Sequence, residues 1–129
     1  MDLANLLPAQ QELVIKLHDG TPTDVVFYLV GQDSKAFREV SKRHAQAYLA
    51  ASKPDVNVLE KQNAELLAAC IMNWKGLSEN GNPVPYSSDK ALELMLMPEL
   101  TYIREQVEQF IAQRANFFRK SSGTVEENS

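Results

Sequence analysis

One cysteine, two histidines and five glycines in 129 residues exclude much of the chemistry that small proteins carry. A single thiol, Cys70, makes no internal disulfide, and cysteines alone cannot build a zinc site here. That usage fits a reducing compartment. No run approaches the roughly 18 apolar residues of a membrane-spanning helix. The opening residues, Met1 to Pro8, lack the basic segment and long apolar core of a secretory leader. The expectation is a soluble, intracellular chain that meets no membrane.

Catalytic patterns are equally scarce. His18 and His44 are far apart in sequence, with no companion spacing such as H-E-x-x-H. Cys70 falls in an apolar stripe, where a thiol behaves as a small hydrophobe. There is no nucleophile elbow, phosphate-binding loop or dinucleotide fingerprint. The adjacent carboxylates Glu126 and Glu127 sit in a polar end that cannot orient them. The reading is a protein without catalytic residues, cofactor or metal. Net charge is -4, from 13 Lys and Arg against 17 Asp and Glu, so no broad basic field is on offer to a nucleic acid. Arg38, Lys42 and Arg43, and the pair Arg119 and Lys120, read as solvated charge.

What is present is one domain's worth of core. At 44% hydrophobic and 23% charged, the chain is neither fibrous nor disordered throughout. A chain this long buries roughly two-thirds of its unfolded surface, enough to fold without staples. The pattern predicts an α+β fold, mainly α: an N-terminal β-hairpin over residues 10–31, about four helices over 33–118, and a flexible tail over 119–129. In the hairpin, Leu13, Ile15 and Leu17 alternate on one face, Asp19-Gly20-Thr21-Pro22 supplies the turn, and Val25 to Val30 forms the second strand. Val25, Phe27 and Leu29 join the first face. Val26, Tyr28 and Val30 point the other way with Val14. A lone hairpin is marginal in water, so helices of the same chain, a third strand or another subunit must cover it.

From Gly31 the period changes to that of a helix. Asp33 or Ser34 caps a first helix to about Ala51, with Phe37, Val40, His44 and Tyr48 on one face. Pro54 interrupts it. Asn57 and Glu60 have capping-box spacing for a second helix, Val58 to Trp74, with a stripe of Leu59, Leu66, Leu67, Cys70, Ile71 and Trp74. Asn80-Gly81 favours a tight turn, and Pro83 and Pro85 stiffen the loop that follows. Ser87 or Ser88 caps a short helix, Ala91 to Met97. Pro98 opens a last helix to about Phe118, with Leu100, Ile103, Val107, Phe110, Arg114 and Phe117 along its seam. Trp74 and Tyr86 flank the loop, either as interface anchors or as ties holding it to the core.

Trp74-Lys75-Gly76-Leu77, then Asn80 to Ser87, then Ala91, Leu94, Pro98, Leu100, Ile103, Phe110, Arg114 and Phe117 follow one another in an order that resembles the tail assembly chaperones of long-tailed bacteriophages. The resemblance spans about Cys70 to Phe118. One departure stands out: Lys75 follows Trp74 where glycine is expected, and the glycine comes one position later, at Gly76. The resemblance implies a non-enzymatic chaperone of the host cytoplasm, absent from the finished virion. It implies association with the tape measure protein and promotion of tail tube polymerisation. It also implies, as in many members, a longer product made by ribosomal frameshifting. The residues proposed to meet partners, including further copies of the chain, are Val14, Val26, Tyr28, Val30, Trp74, Tyr86, Phe110 and Phe117. The competing readings are a structural morphogenesis protein of the head-tail joining or tail-terminator type, and a small bacterial adaptor domain.

Overall fold

The computed structural model describes residues 2–50 and 55–118. The expected break at Pro54, Arg119 and Lys120, the Glu126-Glu127 pair and the tail over 119–129 lie outside the described residues. Two strands, β1 (Gln11–Lys16) and β2 (Pro22–Leu29), form the predicted antiparallel hairpin. Its turn is closed by Leu17 N–H donating to the Thr21 carbonyl at 2.9 Å, and Gly20 takes φ 89°. The strand stops at Lys16, so Leu17 leaves the expected row and is 47% exposed.

The hairpin is covered from within the chain by a third strand and by helices. β3 (Ile71–Lys75) pairs antiparallel with β2, giving the order β1-β2-β3. The sequence reading placed these residues in the second helix, and the cause of the error is visible in the register. Tyr28 pairs with Asn73 and Leu29 with Ile71, leaving Met72 as an extra residue. That bulge turns both Ile71 and Trp74 toward the core at a three-residue spacing, which mimics a helix. Val30, beyond the end of β2, packs against the core and does not join Val14 and Val26 on the outer face. The inner row is Leu13, Phe27 and Trp74 across the three strands, with the last two rings 5.7 Å apart.

Both sheet edges carry side-chain partners. Gln106 donates through Nε2 to the Lys16 carbonyl and accepts from Lys16 N–H, each at 2.8 Å. Tyr86 Oη donates to the Ile71 carbonyl at 2.7 Å. Such contacts remove pairing sites that an added strand would use.

Among the described residues, four α-helices complete the domain: α1 (Lys35–Ala50), α2 (Val56–Cys70), α3 (Ser88–Leu96) and α4 (Thr101–Ala112). Ser34 Oγ caps α1 by accepting from Phe37 N–H at 3.1 Å, while Asp33 instead pairs with Arg114 Nε at 2.6 Å. Asp55, not Asn57, caps α2, its Oδ1 accepting from Val58 N–H at 2.9 Å. Ser87 caps α3 through Lys90 N–H. Between α2 and α3, β4 (Ser78–Glu79) and β5 (Asn82–Pro83) flank the Asn80-Gly81 turn, whose φ values of 53° and 82° are those of a tight hairpin.

The last helix is interrupted, contrary to the continuous helix expected. A 3-10 turn over Pro98–Leu100 precedes α4, and Gln113 (φ −93°, ψ 90°) separates it from a second turn, Arg114–Phe117. Gln32 Nε2 donates to the carbonyls of Ile111 and Ala112, satisfying the end of α4. The break lets Phe117 fold back onto Phe110, ring centroids 5.3 Å apart, and become fully buried. The core lies between the inner sheet face and α2, α3 and α4, centred on Phe27, Leu29, Ile71, Met95, Val107 and Phe117.

Candidate interaction surface

The eight residues proposed from sequence separate into two environments. Trp74 and Phe117 are core residues, and Val30, Tyr86 and Phe110 pack against that core. Trp74 Nε1 donates to the Val84 carbonyl at 2.8 Å, and the Trp74 and Tyr86 rings meet edge to face at 5.1 Å. The two aromatics therefore staple the Pro83-Val84-Pro85 segment to β3. On the outer sheet face, Val26 is 8% exposed, while Val14 is 42% exposed and Tyr28 half-buried. Glu12, Asn73 and Lys75 stand beside these three in the register. The face is thus a mixed one, with apolar positions set among polar neighbours.

A larger apolar surface lies elsewhere, on a helical arm. α1 packs chiefly on α2. Along its predicted face burial decays: Val40 is buried, His44 half-buried and Tyr48 exposed. Every described residue from Ala45 to Ala50 and from Asp55 to Lys61 is exposed. At 1.5 Å per residue, about 9 Å of each helix thus stands clear of the body. This end displays Tyr48, Leu49, Val56, Val58 and Leu59, with Leu49 84% and Val56 77% exposed. Soluble chains rarely leave so many large apolar side chains together without a partner to cover them. Leu59, expected in the buried stripe of α2, belongs to this exposed set because the stripe runs past the end of the body.

Sequence periodicity missed the arm. Periodicity reports which side chains share a face, and says nothing of how far a neighbour extends along it. One signal was available: Leu49 lies on the Arg38 and Lys42 side of α1, away from Phe37 and Val40, where burial against α2 cannot reach it.

The arm is charged on one flank. α1 has four of the chain's 13 basic residues and one of its 17 acidic ones. Lys35 lies 3.9 Å from Glu39, whereas Arg38, Lys42 and Arg43 pair with no carboxylate among the described residues. Across α2, a groove of about 340 Å³ is lined by Glu60, Leu96, Met97, Arg104, Glu105 and Glu108, among others. Arg104 donates to the carbonyls of Met95 and Glu60 at 3.3 Å.

The titratable groups singled out earlier occupy ordinary positions. His18 stacks on Tyr102, centroids 4.0 Å apart, and His44 Nε2 lies 2.9 Å from Glu65 Oε1, tying α1 to α2. Cys70 is fully buried, and that burial raises its thiol pKa to about 12. Among the described residues no helix is long and apolar enough to cross a membrane.

Comparison with known proteins places the chain. No curated protein and no solved structure matches it. A family model described as YdaY prophage protein matches residues 32–128. The match begins just after the hairpin and takes in both helices of the arm, β3, α3 and α4. Covering most of the chain, it shows that this protein belongs to the YdaY prophage protein family and is of phage origin.

Proposed function

We propose that the protein is a tail assembly chaperone: a non-enzymatic factor that holds the tape measure protein in the host cytoplasm while tail tube polymerises around it, and that leaves before the virion is complete. The observation that carries this reading is the apolar arm end, Tyr48, Leu49, Val56, Val58 and Leu59, standing clear of the body. A long helical client exposes apolar stripes before it is enclosed, and an apolar helical arm meets such a stripe as one helix packs on another. Phage origin and the ordered resemblance over Cys70 to Phe118 support the same reading. A head-tail joining or terminator role would instead keep the chain in the finished particle.

The test is co-expression with the tape measure protein of the same prophage. Wild-type chain is expected to keep it soluble and to copurify with it. The double variant Val56→Glu, Leu59→Glu is expected to remain folded by circular dichroism and to lose the complex. A tape measure protein that stays soluble and unbound beside the folded wild type refutes the proposal, as does recovery of the chain from purified virions.

A further inference from the structure

The outer flank of α1 and the groove on the far side of α2 are complementary, and they belong to the same chain. On α1, Arg38, Lys42 and Leu49 fall within one stripe, being 4 and then 7 residues apart. The stripe ends in a Leu that is 84% exposed, and its cations have no carboxylate partner among the described residues. The groove carries mainly the opposite charge. Glu60, Glu105 and Glu108 line it and form no ion pair among the described residues, its cation Arg104 is engaged with the Met95 and Glu60 carbonyls, and Leu96, Met97 and Pro98 add apolar lining. Glu105 and Glu108 are three residues apart on α4 and Arg38 and Lys42 four apart on α1, rises of about 4.5 and 6 Å, so each charge row is about one turn long.

The two surfaces also face in opposite directions. Glu65 marks the side of α2 that meets α1, through His44. Glu60 and Asn63 mark the side that lines the groove. At 100° per residue they lie about 140° and 160° round the helix from Glu65. One chain cannot bring its own flank to its own groove, because α2 stands between them. We propose that copies of this chain stack head to tail, the basic flank of α1 on one copy seated in the groove that Glu60, Glu105 and Glu108 line on the next. Such a contact is heterologous and does not close at two copies, so further copies add to it as a ring or an open array. The occupant is a second copy because both halves of the complement are displayed by this one sequence. This inference stands apart from the client reading, which concerns the arm end alone.

Sedimentation velocity of the purified chain over a range of concentrations tests it. Association is expected to grow with concentration at low salt and to weaken about tenfold or more by 0.5 M salt, since exposed charges are screened. Two charge-reversal variants sharpen the test: Arg38→Glu with Lys42→Glu, and Glu105→Lys with Glu108→Lys. Each alone places like charges at the contact and is expected to be monomeric. Mixed in equal amounts, they restore opposite charges at every contact and are expected to associate again. A wild type that is monomeric throughout, reversal variants that associate like wild type, or a mixture of folded variants that stays monomeric would each overturn the proposal. The salt titration of wild type reads the same contact should either variant fail to fold. Because no client is present, failure here leaves the chaperone reading to its own test.

Discussion

Replacing Gly76 by alanine should destabilise the domain far more than the same replacement at Gly81. The two glycines have nearly equal φ, 80° and 82°. At Gly81 an added Cβ meets nothing within 4 Å, whereas at Gly76 it overlaps the backbone carbonyl of Asp24 on β2. The left-handed conformation costs an alanine about 1 kcal/mol at either site. The overlap adds about 1–3 kcal/mol at Gly76, as for an overpacked core position, because backbone cannot rotate aside like a flexible side chain. With a urea slope of about 1.5 kcal/mol per M, Gly81→Ala should lower the unfolding midpoint by roughly 0.7 M and Gly76→Ala by about 1.3–2.7 M. Trp74, the only tryptophan and 6% exposed, reports unfolding by fluorescence. Equal midpoint shifts for the two variants would refute the argument that close approach, and not dihedral preference, selects glycine at position 76.

Two further outcomes follow from side chains described above. Cys70 has its thiol pKa raised from 9.0 to about 12 by burial. Between those values the unfolded chain releases the proton while the folded chain keeps it, so stability contributed below pH 9 is lost as pH rises, by up to about 4 kcal/mol. Cys70→Ala should flatten that alkaline decline in urea midpoints between pH 8 and pH 11, and an unchanged slope would count against it. Gln106→Ala removes both hydrogen bonds at Lys16, about 1–2 kcal/mol in all. Amide hydrogen exchange at Lys16 should quicken by about tenfold, and unaltered exchange would show that the β1 edge is protected by something else.

The sequence made the hairpin legible because alternation, turn residues and strand length all agreed between Leu13 and Leu29. The helix starts were readable to within a few residues, since Ser34 and Ser87 have the chemistry that caps require. β3 was not, because the bulge at Met72 spaces Ile71 and Trp74 as a helix would. Nor was the break at Gln113: neither Gly nor Pro marks it, and tertiary packing of Phe117 against Phe110 and Gly31 compels it. The departure at Lys75 now has a physical account. Lys75 is the ladder partner of Val26, and the chain reverses only afterward, so glycine is needed one place later. Of the residues proposed as contacts, Trp74 and Phe117 lie in the core and Val30, Tyr86 and Phe110 pack against it, because large aromatic side chains serve a core as readily as an interface.

Helix α2 ends at Cys70 and strand β3 begins at Ile71, with no residue between. The ladder to β2 fixes the orientation of Ile71, and helical geometry carries that orientation back along α2 to Val56. Adding one residue within α2 therefore rotates everything upstream of it by about 100°, and deleting one rotates it as far the other way. The azimuth at which the arm leaves the body is set by an integer, the number of residues in one helix, and it can change only in steps that large.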